Sequence, residues 1–180
     1  MVMDIIKIKI DDCDVYLEDF ELGKGKIIIT TGYDTYSSYW GSMGSNLSDF
    51  LCSINGYYFA GNLTNNMFEF SGKQTLKNIR KHLRESYDLP WYVHMEAQKE
   101  LRETLKEIEH YESANSFVSF FPSIINNLIC SDMDYNDEKE FKLLLSDMFC
   151  EPWNFIGEKE TNEYLFLTKF HGKLKKELLK

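Results

Sequence analysis

The chain has 180 residues, 43% of them apolar and 15% aromatic. That length and composition are sufficient for a buried core, and they exclude a disordered or low-complexity protein. Twenty Lys and Arg against twenty-nine Asp and Glu leave a formal charge of −9. A surface of that sign disfavours free nucleic acid as a partner and suits solubility or a basic protein groove, and no run approaches the ~18 apolar residues of a membrane span.

In MDIIKIKI (3–10), Ile6, Ile8 and Ile10 recur at period two, the pattern of a half-buried strand. Their alternation with charge does not read as a signal peptide. Asp11, Asp12 and Asp14 form a turn, Val15-Tyr16-Leu17 a second strand, and Gly23-Lys24-Gly25 a break. The β-branched run Lys26 to Tyr33 predicts a third strand. Asp34-Thr35 is then a hairpin tip and Tyr36 to Trp40 the returning strand, completing an antiparallel meander over the first 42 residues. Gly41-Ser-Met-Gly44 ends it. That segment is no phosphate loop, because the lysine of that pattern is missing.

Leu47, Phe50, Leu51 and Ile54 follow helical spacing up to Asn55-Gly56, and Tyr57 to Leu63 adds a second short helix. Tyr39, Trp40 and Phe59 are expected to anchor the sheet to the helices. Tyr33, Tyr36 and Tyr57 are the aromatics whose exposure would make them interface residues.

From residue 64 the pattern is mainly helical. Ser71-x-x-Gln74 is a capping box opening a helix with the stripe Leu76, Ile79, Leu83, running to about Tyr87. Asp88-Leu89-Pro90 stops it and starts a long helix through Trp91, Met95, Leu101, Leu105 and Ile108. Arg102 falls with Glu100, Glu103, Lys106, Glu107 and Glu109 on the solvated side of that helix. Pro122 is expected to open a helix carrying Ile124, Ile125, Leu128 and Ile129, and Asp137-x-x-Glu140 another through Phe141, Leu144, Leu145 and Met148. Tyr164 to Phe170 fits strand or helix, and Gly172 separates it from a basic tail. The reading is an α+β fold in one domain over 1–180, with a sheet and its first helices to residue 63 and a mainly helical remainder.

Evident chemistry is sparse. Asp132-x-Asp134-x-Asn136 begins like a calcium loop, but Asp137 stands where glycine belongs and Leu143 where glutamate belongs; the acids read as a helix cap. His82, His94, His110 and His171 make no metal-ligand spacing, and Cys13, Cys52, Cys130 and Cys150 form no C-x-x-C pair. Cys52, Cys130 and Cys150 are expected to be buried structural thiols. No cofactor or metal is expected, and the chain does not read as an enzyme.

One feature breaks the acidic background. Lys73, Lys77, Arg80, Lys81 and Arg84 fall within about 100° of arc on the helix after Ser71. Besides a plain solvated face, the strip suits an RNA backbone or an acidic protein surface, and Lys173, Lys175, Lys176 and Lys180 are a candidate extension.

Tyr36-Ser-Ser-Tyr39-Trp40-Gly41-Ser-Met-Gly44, then Phe50-Leu51, then Tyr57-Tyr58-Phe59-Ala60-Gly61-Asn62-Leu63 resembles a pattern of small phage and prophage accessory proteins. Asn62 departs from the lysine of that pattern, and the likeness covers about residues 27–63. In general character the chain is similar to anti-CRISPR proteins, type VI-B inhibitors in particular. That resemblance implies a cytoplasmic partner in the host cell, an RNA-guided nuclease with its guide, bound without catalysis. The rivals are a phage accessory factor for replication or packaging and an enzyme whose site is assembled only in the fold.

Overall fold

The computed structural model describes residues 4–85, 95–128 and 134–180. Strands β1 (Asp4–Ile10), β2 (Cys13–Glu21), β3 (Lys24–Thr30) and β4 (Thr35–Trp40) are followed by helices α1 (Leu47–Ser53) and α2 (Gly56–Leu63). Then come β5 (Phe68–Phe70), α3 (Gly72–Glu85), α4 (Met95–Thr104) and a 3₁₀ segment at Leu105–His110. Helices α5 (Ala114–Asn126) and α6 (Tyr135–Met148), a 3₁₀ turn at Pro152–Phe155, β6 (Glu158–Glu160) and α7 (Asn162–Leu178) complete the chain. The fold is α+β. Its residues group into two compact units, Met1–Phe68 with Glu160–Lys180, and Glu69–Lys159.

In the first unit the meander forms as its alternation predicts, in the order β1-β2-β3-β4, every neighbour antiparallel. Val15 faces Ile29 and Leu17 faces Ile27 across β2 and β3, so one face is continuous hydrocarbon. Helices α1, α2 and α7 bury that face with Leu47, Leu51, Phe59, Ala60, Leu167 and Leu174. In β1, Ile10 is buried, Ile8 partly so and Ile6 is 45% exposed, so only one end of this edge strand lies under the core. The opposite face carries Lys7, whose ammonium lies 5.1 Å from the Tyr16 ring. Polar groups fix the helices: the Leu47 amide donates to Asp19 at 2.9 Å, and Asn46 and Asn55 cap α1 and α2 by accepting from Asp49 and Tyr58. A Cβ on Gly25 would lie 3.1 Å from the Leu47 side chain, so glycine there lets α1 settle on the sheet.

Tyr164 to Phe170 resolves as helix. Gly172 does not end it, and the basic tail is its continuation to Leu178. The alternation of Tyr164, Phe166 and Thr168 suits a strand, but burial of Tyr164, Leu167, Phe170, His171 and Leu174 follows the 3.6 period instead. Trp40 and Phe59 are buried anchors as expected; Tyr39 is not, being 54% exposed beside Phe20 on the outer face, because the pleat that buries Trp40 turns its neighbour outward.

In the second unit, Leu76 and Ile79 of α3 meet Leu101, Leu105 and Ile108. Phenylalanines carry the core onward: Phe117 to Phe121 at 5.0 Å between ring centroids, Phe121 to Phe149 at 5.3 Å, and Phe149 to Phe155 at 5.3 Å. The helix expected to open at Pro122 instead starts after Ser113, whose hydroxyl accepts from the Ser116 amide, and Pro122 lies inside it. Burial of Phe117 and Phe121 on the same face as Ile124 and Ile125 outweighs the proline. The long helix to Ile108 gives way to 3₁₀ geometry at Leu105. The break at Asp88-Leu89-Pro90, Trp91 and Ile129 lie outside the described residues.

The cysteine expectation is corrected as well. Cys52 is half-buried and Cys150 exposed, while Cys13 is buried. After α6 it is Phe149 that turns into the core, leaving Cys150 outside. Cys130 lies outside the described residues. No helix among the described residues is long and apolar enough to cross a membrane.

A candidate anion-binding groove on the second unit

The site begins with α3. Ser71 opens this helix by accepting from the Gln74 amide at 3.2 Å. The reciprocal half of the capping box does not form: the Gln74 side chain donates to Asn78, and the Ser71 amide donates to the Gly157 carbonyl at 2.8 Å. Two further bonds join the same pieces. Gly157 donates its amide to the buried Thr75 hydroxyl at 2.8 Å, and Asn78 donates to the Phe155 carbonyl at 3.2 Å. Neither glycine tolerates a side chain. A Cβ on Gly157 would lie 2.5 Å from the Thr75 amide nitrogen, and one on Gly72 would collide with the Ile108 carbonyl. These contacts set α3 between the 3₁₀ segment at Leu105–His110 and the residues leading into β6.

The result is a groove of about 1010 Å³. Helix α3 contributes Lys73, Lys77, Arg80, Leu83 and Arg84; α4 and the 3₁₀ segment contribute Leu101, Arg102, Leu105 and Glu109; β6 contributes Glu158 and Lys159. The floor is apolar: half-buried Leu83 presents its accessible surface, and Leu101 and Leu105 lie buried beneath it. Six cations and two carboxylates surround it. Lys159 pairs with Glu69 at 3.0 Å, whereas Lys73, Lys77, Arg80, Arg84 and Arg102 make no ion pair among the described residues. Arg84 folds its Nε back onto the Arg80 carbonyl at 3.2 Å. Lys106 holds the Glu103 carboxyl below its ordinary range, with smaller help from Lys99 and Arg80.

Four of the five basic residues predicted on α3 therefore meet in one concave site. Lys81 does not: it lies about 40° beyond Lys77 around the helix, and it faces Glu85 at 3.9 Å. Sequence reasoning missed Arg102 and Lys159. Arg102 stands among acids in sequence, and only the packing of α3 against the 3₁₀ segment that follows α4 brings it into the same groove as Arg80. The lysines of α7 belong to the first unit, where Lys173 pairs with Asp11 at 2.5 Å and Lys180 with Glu177 at 2.7 Å. Of the tyrosines, Tyr33 is fully exposed after β3, Tyr57 is largely exposed beside Tyr164, and Tyr36 packs on Phe166 with ring centroids 6.3 Å apart. Burial, with Asp34 nearby, pushes the Tyr36 phenol above its ordinary value.

Other ionisable groups are accounted for by structure. Asp134 caps α6 by accepting from the Asn136 and Asp137 amides; Asp132 lies outside the described residues. His82 packs on Phe149 and Phe155, and His171 is buried against Phe59. His94 lies outside the described residues. Among the described residues no three His, Cys, Asp or Glu side chains converge to hold a metal ion.

An acidic α+β protein with a cationic groove is thereby defined. The chain matches the phage family Phage_phiTE_072 over residues 3–180, and it belongs to that family. Neither a curated protein nor a solved structure matches it.

Proposed function

We propose that this phage protein is a non-catalytic binding protein that docks its α3 groove on a host ribonucleoprotein, an RNA-guided nuclease with its guide. In that role it is an anti-CRISPR protein of the host cytoplasm, with a type VI-B effector as the specific target. One observation supports the reading above all: five cations that make no ion pair among the described residues line one concave surface of a chain whose net charge is −9. Local positive charge on an acidic protein attracts phosphate where a partner presents it, while the overall charge suppresses indiscriminate association with polynucleotide. Binding alone accounts for inhibition, by disturbing how guide or target RNA is held.

Affinity capture from cells expressing a panel of CRISPR effectors with their guides, with and without ribonuclease, tests this. Wild type is expected to retain a type VI-B effector, and the triple variant K77E/R80E/R84E, checked for folding by circular dichroism, is expected to lose it. Capture of no effector, or equal capture by the variant, refutes the reading. Recovery of phage replication or packaging proteins in their place would establish the accessory-factor role, to which membership of a phage family is equally suited.

A further inference from the structure

We infer that the groove takes a single-stranded polynucleotide directly, with phosphates on Lys77, Arg80, Arg84 and Arg102 and a base face on Leu83, the half-exposed leucine of the floor. This rests on the groove being the docking surface, and it names what that surface touches. Lys77, Arg80 and Arg84 succeed one another at three and four residues, a row of about 10 Å along α3. One small anion needs donors converging on a point; a row of cations without ion pairs matches successive charges on a backbone. Three of the four are arginine, whose planar fork binds phosphate through paired N–H groups and also stacks on bases. The floor separates the remaining nucleic-acid forms. A duplex keeps its base faces stacked inside and presents phosphates along its outside, so it would leave Leu83 uncovered. A single strand offers both a backbone and an open base face, the combination that cationic, apolar-floored channels accept. A run of carboxylates alone, such as polyglutamate, would satisfy the cations and leave Leu83 uncovered.

Fluorescence anisotropy of the full chain with labelled twelve-residue oligo-U, oligo-dT and a duplex of equal length tests the assignment. The single strand is expected to bind at 50 mM salt, and more tightly than the duplex. Four phosphate contacts give a slope of log K on log salt of about −3, roughly a fifty-fold loss of affinity between 50 and 200 mM. R80E/R84E is expected to weaken binding at least tenfold and to reduce that slope by about half. L83S, checked for folding by circular dichroism because Leu83 also packs on the core, is expected to weaken binding several-fold with the slope unchanged, since it removes no charge. No binding at 50 mM, a duplex bound as tightly, displacement by polyglutamate as effective as by oligo-U, or indifference to R80E/R84E overturns the inference. Groove-dependent capture of an effector without oligonucleotide binding removes this inference alone. Oligonucleotide binding without capture of any effector removes the effector reading and leaves this one standing.

Discussion

Thr75→Val tests whether one buried hydroxyl holds the base of the groove together. Thr75 is fully buried, and its Oγ1 is the acceptor for the Gly157 amide at 2.8 Å. Valine keeps the shape of the side chain and removes the acceptor, leaving a buried N–H without a partner. The expected cost is about 1–3 kcal/mol. With an m-value of about 2 kcal/mol/M, the urea midpoint falls by about 0.5–1.5 M. Thr75→Ser is the control: it keeps the oxygen and loses a methyl group, worth about 0.8 kcal/mol. Urea unfolding followed by circular dichroism should rank wild type above Thr75→Ser and Thr75→Ser above Thr75→Val. A valine variant as stable as the serine variant would refute the assignment. It would mean that the Gly157 amide finds another acceptor and that the crossing of α3 with the residues before β6 is fixed by packing alone.

Gly72→Ala is expected to be strongly destabilising in the same assay, by several kcal/mol, because its Cβ meets the Ile108 carbonyl and lies 3.0 Å from the Glu109 Cα, both backbone atoms with little room to move. Wild-type stability in that variant would show that α3 does not approach the 3₁₀ segment so closely. Asn55→Ala removes the side-chain acceptor of the Tyr58 amide at 2.8 Å and should cost about 1 kcal/mol, with Asn55→Ser recovering most of it. His171 bonds through Nε2 to the Leu51 carbonyl at 2.8 Å, stacks on Phe59 at 4.6 Å, and is held below its ordinary value of 6.5 chiefly by burial, with Lys175 acting in the same direction. The unfolded state therefore binds the proton more tightly. The stabilising contribution is complete above pH 6.5 and is lost as pH falls toward the folded value, so urea midpoints should decline from pH 6.5 to 5. His171→Gln should flatten that decline; an unchanged decline would assign it to other groups.

Much of the first unit was legible in sequence because its signals are local. The period-two alternation of β1, the β-branched run of β3 and the 3.6 spacing of α1 are read within a few residues, and burial of Ile10, of Ile27 with Ile29 and of Leu47 with Leu51 follows them; Asn55, read as the end of α1, instead caps α2. The stripe and the basic strip of α3 were legible for the same reason. Where two local signals disagreed, packing decided. Pro122 reads as a helix start, yet the core contacts of Phe117 and Phe121 carry α5 through it. Gly172 reads as a break, yet buried Phe170, His171 and Leu174 continue α7 across it.

What the sequence by itself determined was therefore the class of fold and the charge of one helix face, since both follow from side-chain periodicity along a single element. Whether that face was a flat solvated surface or one side of a concave site was not determined, because concavity requires a second element. Arg102 and Lys159, 29 and 86 positions from Lys73 along the chain, take part only because Gly72 and Gly157 permit close backbone approach and Thr75 and Asn78 fasten it. Only the tertiary structure placed Arg102 with Arg80 and excluded Lys81, for the long-range contacts that select among a helix's cations leave no periodic trace in the sequence.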